Sequence, residues 1–255
     1  MRSFRRMLIL VMLVVLYNGM AQYDLKKTKK AFYLLNQNKI LTQQSMTNYY
    51  SRQYKLFPVN AQQNIHSAAE EILENLDSVS TLLPQEKNLL ADFEKLKNLT
   101  EIFVSQLSNR NTNLKDLHKS KNRVLKKLDL MLETLVMFTD FDESFLEQIQ
   151  KLVNVNQNLQ VAMQEYIRQY DEGSVDTKNI ISMLKDAGKD MKSIRDYYAK
   201  DKKLAQILRH IHQDIQLFHQ GIKNGYAPKI MVASLNKSNR KILEAYSILT
   251  QKQQP

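Results

Sequence analysis

Two amide-rich runs hold the residues of this 255-residue chain best suited to binding something. The first reads Asn36-Gln37-Asn38-Lys39-Ile40-Leu41-Thr42-Gln43-Gln44. The second reads Asn156-Gln157-Asn158-Leu159-Gln160-Val161-Ala162-Met163-Gln164. At a shift of 120 residues Asn36, Gln37, Asn38, Gln44 and Tyr50 fall on Asn156, Gln157, Asn158, Gln164 and Tyr170. A side-chain amide both donates and accepts, so it suits a neutral polar ligand or another amide. Gln37 and Gln44 share a helix face with Leu41 between them, while Phe32, Leu35, Met46 and Tyr49 take the other side. Two interpretations stand side by side. Gln37, Gln44, Gln157 and Gln164 line a polar site where two halves, or two subunits of a homodimer, meet. Alternatively the amides form a solvated or internally bonded stripe that fixes helix register.

Other chemistry is poorly supplied. There is no Cys nucleophile, no Gly-x-Ser-x-Gly elbow and no Gly-rich phosphate loop. Glu70, Glu71 and Glu74 are spaced as a solvated helix face. His210 and His212 point about 200° apart on a helix, and no His-Glu-x-x-His or Glu-x-x-His pairs stand in the chain. No catalytic residue, metal site or cofactor is expected, and the chain is not read as an enzyme.

Long helices must position the amide runs. Only 5 Gly and 4 Pro interrupt a chain that is 43% apolar, which favours helices and supplies a core. Eight helical segments are expected, at about Leu25–Tyr54 (ended by Pro58 and Asn60), Ile65–Leu83, a third restarting at Pro84, Leu114–Phe138, Asp142–Tyr170, Ile180–Tyr198, Leu204–Ile222 and Lys229–Thr250. Each carries apolar residues at spacings of three and four. Asp140 with Glu143 resembles a cap and its reciprocal partner, and marks the boundary between halves. One continuous helix from Lys115 to Tyr170 is the competing interpretation. Gly173 is suited to a left-handed cap. Segments Asn64-Ile65 and Asn179-Ile180, and Lys119-Ser120 and Lys237-Ser238, extend the internal likeness. The expected fold is all-α: two tandem up-down four-helix bundles, residues 22–139 and 140–255, after a signal peptide at 1–21.

That leader rests on Arg2, Arg5 and Arg6, the apolar run Met7–Tyr17 and the small residues before Gln22. An uncleaved anchor is the alternative, but about 20 apolar residues are needed to span a bilayer. Export is expected despite the absence of Cys. Losing the three arginines lowers the net charge from +11 to +8. The remaining Lys and Arg are scattered, which points to a solvated basic surface and not to a nucleic-acid partner.

At the motif the chain resembles the periplasmic sensor domain of type IV pili methyl-accepting chemotaxis transducers and nitrate sensor kinases, the PilJ/NarX-like family. Its first helix opens with a run close to Arg-Gln-Arg-Met-Leu-Ser-Gln-Arg. Here Gln37-Asn38-Lys39-Ile40-Leu41-Thr42-Gln43-Gln44 corresponds, with Tyr49 beyond. The resemblance implies a periplasmic sensor module, often in duplicate, whose motif helix holds a ligand near a bundle or dimer interface. The anion-holding Arg position is Lys39 in the first run and Leu159 in the second. Arg offers a planar fork, Lys a point charge and Gln a neutral amide, so a neutral polar ligand fits better than nitrate. The candidate ligand-binding set is therefore Gln37, Lys39, Gln43, Gln44, Gln157 and Gln164. The expected partners are a small polar ligand and an envelope or membrane signalling protein, since no second span or signalling module follows by Pro255. A structural envelope protein with no ligand is the alternative.

Overall fold

A computed structural model describes residues 24–252; the expected leader at 1–21 lies outside them. Among the described residues there are eight helices and no strand: α1 Leu25–Gln53, α2 Pro58–Ser80, α3 Lys87–Ser108, α4 Leu114–Met137, α5 Glu143–Asp171, α6 Thr177–Tyr197, α7 Lys202–Lys223 and α8 Pro228–Gln251. None is long and apolar enough to cross a membrane.

Local chemistry explains where the helices start. Asp24, Glu86, Asn113, Asp142, Asp176 and Asp201 each accept a hydrogen bond from a backbone N–H in the first turn of α1, α3, α4, α5, α6 and α7. Helices α2 and α8 have no side-chain cap and begin instead on Pro58 and Pro228, whose fixed φ suits a first turn. Three expectations need correction. Pro58 opens a helix where it was expected to close one. Pro84 lies in a turn, and Glu86 starts α3. Asp142, not Asp140, caps α5, while Asp140 pairs with Lys29 at 2.7 Å. Residues 138–142 separate α4 from α5, so one continuous helix does not form.

Helices α1–α4 pack as one four-helix bundle and α5–α8 as a second. Neighbours are antiparallel within each bundle, as short connections require. The bundles are joined side by side through α1, which also packs on α5 and α8. Buried apolar residues of both halves form one continuous cluster, from Ala31 to Leu249.

The halves share one anchoring device. The Tyr49 hydroxyl donates to the Thr112 carbonyl at 2.6 Å, two residues before α4 begins. The Tyr166 hydroxyl donates to the Tyr226 carbonyl at 2.6 Å, two residues before α8 begins. These tyrosines are 117 residues apart, and the bounds of α1 and α5 differ by 118 at both ends. Leu35 and Met46 then match Leu152 and Met163, all in the core. The structural register is thus two or three residues short of the 120-residue match between the amide runs.

Candidate functional site

The amide runs meet at the seam between the bundles, where α1 and α5 run parallel. Gln43 Oε1 accepts from Asn156 Nδ2 at 2.6 Å, and Gln43 Nε2 donates to Gln157 Oε1 at 3.3 Å. Gln44 Nε2 lies 3.1 Å from Asn156 Oδ1 and 3.4 Å from the Asn239 carbonyl on α8. One turn on, Gln160 Nε2 donates to Asn239 Oδ1 at 2.7 Å, and Gln164 Nε2 donates to Thr47 Oγ1 at 2.9 Å. Asn156 and Gln160 are fully buried, and Gln43, Gln44 and Gln164 are nearly so. Buried amides are costly unless bonded, and in low dielectric such chains reinforce one another. The seam is closed at its upper end by aromatic rings. Phe32, Tyr33, Phe141 and Phe145 pack edge to face or tilted, and Tyr246 of α8 donates to the Tyr33 carbonyl at 2.8 Å.

The six candidate residues therefore separate. Gln43, Gln44, Gln157 and Gln164 come together in the seam and bond protein groups, with only Gln157 exposed. Gln37 turns to α2, where its Nε2 donates to Glu71 Oε1 at 2.6 Å. Burial pushes the Glu71 carboxyl up, and the Gln37 bond pulls against that rise. Gln37 and Gln44 share a helix face yet reach different neighbours. Lys39 turns to α4, pairing with Asp129 at 2.6 Å while its own side chain is 10% exposed. Its counterpart by the amide match, Leu159, is plain core.

Lys39 lies on an open groove of about 530 Å³ between α4 and α5, floored by α1. Phe32, Asn36 and Lys39 form the floor, one face of α1 at helical spacing. Asp129 and Glu133 come from α4, Glu147 and Gln150 from α5. Asn36 is 3% exposed; its amide N–H donates to the Phe32 carbonyl, and among the described residues no group donates to its Oδ1. The floor thus offers one acceptor and one ammonium held by a single carboxylate.

Sequence reasoning missed Gln160, Asn239, Asn36 and Asp129 as participants. Asn156, Gln160 and Gln164 recur at every fourth residue, a ladder visible in the sequence. Nothing local marks Asn239 or Asp129. Among the described residues no three His, Asp or Glu side chains converge as a metal site. No protein-family model, curated protein or solved structure matches the chain.

Proposed function

We propose that the chain is an exported, non-enzymatic binding module of the sensor type that holds a small polar ligand in the α4–α5 groove. The observation that supports this most directly is the pairing of Asn36 and Lys39 on the groove floor, two nearly buried polar groups of the motif helix that face open space. A ligand there bonds the Asn36 carbonyl and competes with Asp129 for the Lys39 ammonium. Release of Asp129 from Lys39 then loosens α4 against α1, which gives occupancy a route to the bundle packing. The test is a thermal-shift panel of neutral and zwitterionic amino acids, sugars, monocarboxylates and nitrate. Binding to the folded state raises the melting temperature, and Lys39→Met is expected to abolish the response. A flat response across the panel sinks this function.

A second function, docking of an envelope protein without a ligand, draws support from a different place. Val59, Tyr170, Val175, Tyr226 and Ile230 are exposed at the end of the molecule where α1 and α5 finish. Apolar residues gathered at one end suit a protein contact. A charge substitution at Ile230 and Val59 that leaves ligand response intact but abolishes co-purification of a partner separates the two functions.

A further inference from the structure

The corner where α1 turns into α2 carries a separate open groove of about 550 Å³, lined by Arg52, Lys55 and Arg110 with Gln53, Gln62 and Val59 among their neighbours. Among the described residues no carboxylate lines it. Arg52 is 8% exposed, yet all its partners are neutral. Its Nη1 donates to Gln62 Oε1 at 2.7 Å, and its Nη2 donates to the carbonyls of Leu107 at 3.1 Å and Asn109 at 3.3 Å. The guanidinium stacks 4.5 Å from the Tyr49 ring, and its Nε–H has no partner among the described residues. An arginine keeps its charge when buried, so this charge sits in the protein without a counter-charge. Neither Lys55 nor Arg110 makes an ion pair among the described residues.

The second half shows that the corner does not need these charges. Three residues after the anchoring tyrosine stands Arg52 in the first half and Gln169 in the second. Two residues past the helix end stand Lys55 and Gly173, both in the left-handed region at φ 54° and 72°. Four residues before the last helix stand Arg110 and Asn224. The same corner is therefore built once from Gln, Gly and Asn and once from Arg, Lys and Arg. Lys55 even holds a backbone conformation that glycine takes without steric cost. The nearby arginine of the second half, Arg168, is neutralised by Glu165 and Glu172 at 2.5 and 2.7 Å.

We propose that the first-half corner binds a small oxyanion carrying two or more negative charges, of the phosphate or polycarboxylate class. Arg52 supplies its uncompensated charge and the one Nη1 N–H not already bonded, and Lys55 and Arg110 add charge at the rim. A singly charged anion leaves two of the three cations unmatched. This site is independent of the α4–α5 groove.

The experiment is isothermal titration and thermal unfolding at constant ionic strength, with inorganic phosphate and citrate as probes and sodium chloride as the reference. The double variant Lys55→Gly/Arg110→Asn takes two of the three second-half residues, leaves every Arg52 side-chain bond in place, and is expected to fold at least as stably. The native chain is expected to bind phosphate or citrate saturably, and the double variant at least tenfold more weakly. Lys39→Met is expected to bind as the native chain does, which separates this site from the groove. Co-sedimentation with phosphatidic acid vesicles, whose phosphomonoester headgroup takes a second negative charge, but not with phosphatidylcholine vesicles, lost in the double variant, identifies a lipid headgroup as the source of the oxyanion. Phosphate or citrate binding without vesicle binding identifies a free anion. A response no larger than that to chloride, with no vesicle binding, overturns the proposal, and so does binding that the double variant retains.

Discussion

Helices α1 and α5 are built alike and live differently. Both have 29 residues, both are capped by Asp, and both are anchored by a buried tyrosine to the loop before the last helix of their bundle. Every residue of α1 from Asn38 to Arg52 is buried, whereas α5 exposes Gln157 and half-exposes Asn154, Asn158, Val161 and Glu165. The difference comes from the seam. Helix α1 is wrapped by α2 and α4 of its own bundle and by α5 and α8 of the other, while α5 meets only α1 across the seam. A helix enclosed all round is ordinarily apolar all round. This one is polar, so its amides must find partners across the seam, and they tie its register to α5 and α8.

The largest expected effect tests that tie. Gln160→Leu strands Asn239 Oδ1 and weakens the Asn156 cluster, at a cost of about 3 kcal/mol in chemical denaturation. Asn158→Leu, on the outer side of the same helix, is expected to stay within about 0.5 kcal/mol. Equal losses would erase the contrast between the enclosed and open faces.

The anchoring tyrosines come next. Tyr166→Phe loses one hydrogen bond and about 1 kcal/mol. Tyr49→Phe is expected to lose somewhat more, because Gln53 Nε2 also donates to its hydroxyl at 2.8 Å. A loss in one half alone breaks the equivalence of the two anchors. At the two left-handed positions, Gly173→Lys is expected to cost about 1 kcal/mol and Lys55→Gly to gain less than that. No atom lies within 4 Å of a Cβ placed on Gly173, so the backbone alone sets that cost.

The smallest effect is a pH slope. Burial holds the imidazoles of His118 in the first bundle and His212 in the second below their usual range. His118 is also bonded to the Tyr50 hydroxyl at 2.7 Å, and Lys121 lies near enough to disfavour its charged form. The unfolded chain takes up these protons more readily. The stability linked to them is therefore complete above the ordinary histidine value and falls as pH drops below it. The melting temperature is expected to decline as pH falls from about 6.5 to about 5.5, and His118→Gln to remove only the first bundle's share. An unchanged slope in that variant would assign the whole effect to the second half.

The helices were legible because their signals are local: apolar spacing, acidic caps and prolines. The boundary errors at Pro58, Pro84 and Asp140 arise where one residue type serves two roles, since a proline both ends a helix and begins one. The register of the duplication was misread for another reason. The matching triplets Asn36–Asn38 and Asn156–Asn158 are identities between polar residues, and the packing is set by Leu35, Met46 and Tyr49 against Leu152, Met163 and Tyr166. Lys39 reached an open groove and Gln44 a closed seam because neighbouring helices differ on two sides of α1, which no pattern within α1 encodes. The basic corner escaped notice because Arg52, Lys55 and Arg110 are brought together only by the fold.

The order of synthesis sets a schedule for the enclosed helix. Tyr246 reaches back 213 residues to Tyr33, and Gln44 reaches forward 195 residues to Asn239. The first rod to emerge is therefore the last to be fully covered, and its uncapped amides wait through nearly the whole chain for their counterparts. Such distant pairing slows folding, so a nascent chain halted before α8 would present the α1 flank to any chaperone or aggregating neighbour at hand.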